Sequence, residues 1–268
     1  MSELKQTAEE IKSCCATLYE SDWANRLLGP SFHPGGLTLT RRLGELLELQ
    51  PGQRVLDVAA GKGTSAIFLA KTFKCQVVGI DYGSGAIAEA TAAAAEAKLV
   101  DQVSFEAGDA EQLHFDDNSF DAVICECAFC TFPNKQQAAG EFFRVLRPGG
   151  QIGLSDLTRT GSLPPELDTL LAWIACVADA RPVDEYITYL EQAGIDTQLI
   201  EPHPQALATM VRNVQSKLLG AEIMLNIKQI ELPGVDLEQA KALARHTAQA
   251  VQRGNLGYTL ITGVKPIA

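Results

Sequence analysis

Sulfur stands out here by its spacing as a group that could do chemistry: Cys125, Cys127 and Cys130 fall within "VICECAFCTF" (123–132), at the end of an apolar run. Such a cluster serves core packing, a metal site, a disulfide, or a reaction that needs soft sulfur. The cysteine count of 7 is odd, which excludes a fully paired disulfide framework. C-x-C-x-x-C has no second C-x-x-C and no His pair at ligand spacing, and the 4 histidines (33, 114, 203, 246) are scattered, so no zinc centre is expected. On a strand, Cys125 and Cys127 share a face with Val123. Cys127, at the strand's end, reaches the ligand crevice, whereas Cys125 and Cys130 read equally well as small apolar packing groups.

Three other thiols extend the set. Cys176 sits in a helix expected over about 164–179, off the stripe formed by Leu167, Leu170, Leu171 and Ile174; an exposed bystander is its alternative reading. Cys14 and Cys15 lie in a helix expected over residues 3–19, Cys15 on its apolar stripe and Cys14 at the border, so packing competes with chemistry.

A glycine turn in "DVAAGKGTSA" carries Gly61 and Gly63, with Ala66 completing the spacing of a loose dinucleotide fingerprint. It is not a phosphate-cradling Gly-Lys-Ser/Thr loop. Asp57 precedes it by four residues, inside the first strand, where a carboxylate repels a pyrophosphate and favours a ligand with an ammonium and a sulfonium. S-adenosylmethionine is such a ligand. Asp81, followed by Tyr82, ends the second strand where a carboxylate accepts ribose hydroxyls; Asp109 and Ala110, after the third, suit an adenine amino group and ring. Each acid alone also reads as a cap or turn residue. Three at the ends of three consecutive strands read as a cofactor site: Asp57, Gly61, Gly63, Asp81, Tyr82, Asp109, Ala110 and, beside it, Cys125.

The elements that place these residues alternate. Strands are expected at 53–60, 75–81, 102–109, 121–127 and 151–157, separated by helical stretches, with further strands at 196–202 and 256–266. That alternation means an α/β fold with a doubly wound, mostly parallel sheet. Residues 1–50 are expected to form an N-terminal helical lid, 51–204 and 255–268 the cofactor-binding core, and 205–254 a helical insertion. His33, in a Gly- and Pro-rich loop, is placed to close over cofactor or substrate, or else is a turn histidine bonded to backbone; Trp23 and Phe32 would anchor that loop. A net charge of −11 argues against nucleic-acid and anionic-lipid partners. The polar start and the absence of a long apolar run point to a cytoplasmic chain without membrane association.

The stretches "VLDVAAGKG", "VVGID", "GDAEQLHFDDNSFDAV" and "FFRVLRPGGQIGLSD" resemble the class I S-adenosylmethionine-dependent methyltransferases over roughly residues 50–160. The resemblance implies a seven-stranded sheet in the order 3-2-1-4-5-7-6 with an antiparallel last strand. Residues 123–157 further resemble the arsenite methyltransferases, which hold trivalent arsenic on thiolates. In their register Cys127 and Cys176 are acceptor-binding cysteines, with Cys15 or Cys14 supplying a third sulfur and a thiol reductant as partner. That family's N-terminal cysteines have an aromatic, Gly-rich neighbourhood, whereas here they stand in a helix. Two alternatives stay open. One is a methyltransferase for a small organic acceptor such as a quinone or phenol, its cysteines structural. The other is a non-enzymatic cofactor-binding module.

Overall fold

A computed structural model describes residues 7–20, 27, 29, 32–226 and 236–267. The two patterning periods sort cleanly into one layered structure. Helix α1 spans Ala8–Glu20, α2 Gly36–Leu46, α3 Thr64–Phe73, α4 Ser84–Glu96 and α5 Lys135–Val145. After them come α6 Leu170–Ile174, α7 Val183–Gln192, α8 Pro204–Asn226 and α9 Leu237–Gln252. The strands are β1 Arg54–Val58, β2 Gln76–Asp81, β3 Val103–Ala107, β4 Phe120–Glu126, β5 Leu146–Arg159, β6 Asp196–Pro202 and β7 Leu256–Val264.

They form a 7-stranded sheet in the order β3-β2-β1-β4-β5-β7-β6, with β7 antiparallel to both neighbours and the first five parallel, as the resemblance implied. Helices on both faces explain the unbroken apolar runs of the central strands: Val55, Leu56, Val58, Val123 and Ile124 are all fully buried. The register sets Asp57 beside Ile124 and Val58 beside Cys125, which brings the ends of β1 and β4 together.

The segment expected as a lid divides. α1 lies over the cofactor cleft, while α2 turns Leu39 and Leu43 into the core, where Leu43 packs against Gly153 of β5. Trp23 falls outside the described residues. The helix expected over 164–179 does not form. Its start is a 3-10 turn, Pro165–Leu167, and only Leu170–Ile174 is helical. Two consecutive prolines hold the preceding chain extended, and Cys176, at φ 62, leaves the helical region beyond. Strand β5 begins at Leu146, ahead of the expected start, and carries "RPGG" through a register irregularity in which Gly149 takes φ 78. Among the described residues no helix is long and apolar enough to cross a membrane.

Candidate active site

The carboxyl ends of β1, β2 and β4 open onto a cleft of about 160 Å³ that α1 roofs with Lys12, Cys15, Ala16 and Tyr19. Its floor contains Asp57, Gly61, Asp81, Tyr82, Asp109, Ala110, Glu126 and Cys127. Gly63 N-caps α3 at φ 75. A Cβ there would fall 2.4 Å from the Phe105 ring, so glycine is required on both counts. Gly61 differs: at φ 53 a Cβ would meet only Phe32, at 3.8 Å, and would project into the cleft.

The acids are held for distinct reasons. Asp81 braces the turn, accepting from the Gly61 amide at 2.8 Å and the Gly83 amide at 2.9 Å. Burial raises its pKa, and those two amides act the other way. Asp57 is 2 % exposed and its Oδ2 has no hydrogen-bond partner. Burial, then Glu126 and Asp81, push its carboxyl well above the usual range. An orphaned, buried carboxylate oxygen on an open cleft is a site for a cationic ligand. Asp109 accepts from Lys12 of α1 at 2.8 Å, and Lys12 also reaches Glu111 at 2.5 Å. At its other end α1 is fixed by Glu20, whose Oε1 accepts the Gly85 and Ala86 amides at 2.8 and 3.1 Å. Glu20 thereby supplies the first turn of α4 with the side-chain cap that Gly83 lacks. His33 is buried, lines the cleft, and faces its own loop through Pro34 O at 3.3 Å.

The thiols part company at the end of β4. Cys125 stays in the strand, fully buried in the core, and lines neither this cleft nor the chamber beyond it, so it is not placed to touch cofactor there. Cys127 leaves the strand at φ 55, its amide donating to Ser155 O at 2.6 Å, and faces the cleft. Cys176, far from an exposed bystander, is 2 % exposed, and its Sγ donates to Cys127 O at 3.1 Å. Tyr19 of α1 reaches the same sulfur at 3.6 Å. The two segments are further joined by Trp173 Nε1 donating to Thr131 O at 3.3 Å and by the buried ion pair between Lys135 and Asp179. Positive φ on two non-glycine residues costs about 1–3 kcal/mol each and concentrates at working sites.

Cys127, Cys130 and Cys176 lie close enough to shift one another's ionisation. Hydrogen bonds from Cys127 first, then Cys130 and Tyr19, hold Cys176 well below the ordinary thiol value, aided by Lys135. The other two are pushed up, Cys127 first by its bond to Cys176 and Cys130 first by burial. Cys15 is raised to about 12 by burial, then by Cys176 and Cys14. Cys14 is half-buried and lines neither this cleft nor the chamber beyond, which removes it from the acceptor set. Among the described residues no group of three His, Cys, Asp or Glu side chains is arranged to hold a metal ion.

Beyond Cys127 lies a second cavity of about 160 Å³, bounded by Leu18, Tyr19, Phe32, Leu157, Leu171, Cys176, Leu207, Val211, Leu243 and Thr247. Its wall comes from α8 and α9, the helical insertion. Tyr19, Phe32 and Cys127 belong to both cavities, so the thiol stands at their seam. Sequence reasoning did not single out Lys12, Tyr19 or Glu126. "CEC" at a strand end was the one available signal for Glu126.

A methyltransferase-domain family model matches residues 49–194. The chain is 29% identical over 231 residues to the 27-O-demethylrifamycin SV methyltransferase of Amycolatopsis mediterranei, covering 85% of this chain and 83% of that one. It is 30% identical over 164 residues to the arsenite methyltransferase of Halobacterium salinarum, covering 59% of this chain and 41% of that one. Several other curated relatives are matched over only 32% to 59% of their length. Among solved structures, Haemonchus contortus phosphoethanolamine N-methyltransferase 2, bound to S-adenosylhomocysteine, superposes with a TM-score of 0.80 at 17% identity, covering 97% of this chain and 60% of that one. The sheet order, the glycine turn and the matched family agree: the chain belongs to the class I S-adenosylmethionine-dependent methyltransferases.

Proposed function

We propose that the chain moves a methyl group from S-adenosylmethionine to a soft acceptor held on cysteine sulfur, with trivalent arsenic, presented as arsenite, as that acceptor. One observation carries this reading: Cys127 and Cys176, 49 residues apart, meet at the seam of the two cavities. The likeness to an arsenite methyltransferase supports it.

Asp57, Gly61, Gly63, Asp81, Tyr82, Asp109 and Ala110 would hold the cofactor, which supplies an electrophilic methyl on a sulfonium. Arsenite would exchange hydroxyls for sulfur at Cys127 and Cys176, with Cys15 as third ligand. Each thiol proton leaves with a hydroxide as water. Thiolates are the preferred ligands of so soft a centre. Arsenic's lone pair then forms the new As–C bond while the sulfonium's C–S bond breaks. No proton leaves the nucleophile, so the residues need to orient and desolvate it and need not act as a base. Arsenic ends pentavalent, and an external thiol reductant returns it to the trivalent state. The apolar chamber keeps water from the reacting pair.

Incubation with arsenite, S-adenosylmethionine and a thiol reductant tests the reading by product analysis. Methylated arsenic is expected, together with protection of Cys127 and Cys176 from alkylation by arsenite alone. Absence of both overturns it.

The chamber favours a second reading. Its lining is almost wholly apolar, and its volume suits a group of about the size of benzene. An aromatic or alkyl organic acceptor would sit there with its nucleophilic atom at the seam. Cys127→Ser and Cys176→Ser variants that still methylate a hydroquinone, in an enzyme inert to arsenite, would select it.

A further inference from the structure

Helices α8 and α9 turn stripes of helical spacing towards the chamber: Leu207 and Val211 on the first, and Ala240, Leu243, Ala244 and Thr247 on the second. Between them they wall much of its volume of about 160 Å³. Thr247 is the polar member of its stripe. It is 6 % exposed and lines this chamber but not the cofactor cleft. Among the described residues its Oγ1 has no hydrogen-bond partner.

A threonine within a helix can return its hydroxyl to the carbonyl one turn back. Thr17, Thr91 and Thr188 do so, donating to Ser13 O, Ile87 O and Asp184 O at 2.9, 2.8 and 2.7 Å. Thr247 makes no such bond. A buried hydroxyl in that state has lost its hydration and gained nothing in exchange, so it weakens the unliganded fold. Valine has the same branching and would occupy the position without that loss. A water lodged beside Thr247 would need two to four polar partners of its own. The other hydroxyl on the chamber wall, that of Tyr19, is already engaged with Cys176 Sγ at 3.6 Å.

We infer that the chamber receives the apolar body of a methyl acceptor, and that Thr247 is a specificity-determining residue that bonds one polar atom on that body. The ligand is an aromatic ring or short branched alkyl group of about benzene's size, bearing a hydroxyl, carbonyl or amine away from the seam. The inference rests on the proposed function only in setting the acceptor at the seam beside Cys127. It holds for an organic group borne on arsenic and for a wholly organic acceptor. Inorganic arsenite has no such group, so a further class of acceptor is assigned to the same site.

Calorimetric titration of the chain saturated with S-adenosylhomocysteine tests this by binding alone, with phenol and toluene as probes that match in shape and differ by the hydroxyl. Both should bind at about 1 mM or tighter. Thr247→Val should lower the preference for phenol over toluene by at least about fivefold, the loss of one hydrogen bond. Its urea midpoint should equal or exceed that of the unaltered chain, because an uncompensated hydroxyl has been removed. Thr247→Ser, which keeps the hydroxyl, should retain the preference to within about twofold. An unchanged preference in Thr247→Val, a lowered midpoint, a serine variant that loses the preference as valine does, or failure of either probe to bind would each overturn the inference. A chain that binds phenol through Thr247 yet forms no methylated arsenic keeps this inference and loses the arsenic reading.

Discussion

Cys176 Sγ lies 3.1 Å from the carbonyl oxygen of Cys127, and both residues adopt left-handed backbone. Two strained turns from distant parts of the chain thus present their sulfurs to one another beneath Tyr19. Packing alone is served by an ordinary strand end, as Cys125 demonstrates two residues earlier.

Cys127→Ser is expected to reduce methylated-arsenic formation by at least about 100-fold, since serine oxygen is a hard ligand. Because Asp57, Asp81 and the glycine turn are untouched, S-adenosylhomocysteine affinity should change by less than about threefold. Single-turnover product analysis and calorimetry measure the two effects separately. Cys176→Ser should behave alike; a serine variant with full turnover would remove the thiols from the acceptor site.

Asp156 supplies a pH test. Burial, then Cys176, raises its carboxyl to about 7, although Cys130 and the Leu157 amide oppose the shift. Its folded pKa exceeds the unfolded one, so the native state binds the extra proton. The stability tied to that proton is complete below the unfolded pKa and is lost as pH climbs through about 7. Asp156→Asn should flatten the fall in unfolding free energy between pH 4 and 8 by about 2–4 kcal/mol, read from urea titrations.

Gly85 and Glu20 form a cycle. Alanine at 85 gains about 1 kcal/mol of helix propensity, but its Cβ would approach Glu20 Cδ to 2.8 Å. Gly85→Ala should therefore loosen α1, seen as faster limited proteolysis within 7–20 and quicker release of S-adenosylhomocysteine. In a Glu20→Ala background the same change should stabilise the protein, by up to about 1 kcal/mol.

The Lys135–Asp179 pair joins the turn after β4 to the segment bearing Cys176, its side chains only 4% and 10% exposed. Asp179→Ala strands a buried ammonium and should cost about 3–5 kcal/mol. Replacing both at once, Lys135→Met with Asp179→Leu, should cost much less. Denaturant midpoints settle the comparison. The double variant should also raise the pH at which Cys176 begins to react with iodoacetamide, because Lys135 helps hold that thiol low.

Periodicity made nearly every strand and helix legible, since central strands with both faces covered and amphipathic helices leave opposite signatures. The 164–179 stretch misled because its apolar spacing is helical while the chain turns extended at Thr169, after the 3-10 turn Pro165–Leu167, and a helix starts afresh only at Leu170. Cys176 was consequently sought on a helix face and is found in a turn. The pairing of Cys125 with Cys127 failed at one residue: alternation holds only while the strand lasts, and Cys127 has left it. Glu126 was invisible for another reason. Its partners Thr40 and Ser65 stand 86 and 61 residues away, and no local pattern encodes such a meeting.

Tyr19 puts the roof of one cavity and the wall of the other on the same short helix, which Lys12 and Glu20 clamp at either end. On the proposed function, traffic through the two compartments would be interdependent: undocking α1 to discharge the spent nucleoside would also uncover the acceptor's berth. Each ligand should strengthen the other's binding by the same free energy, a reciprocity that ternary equilibrium titrations would expose directly.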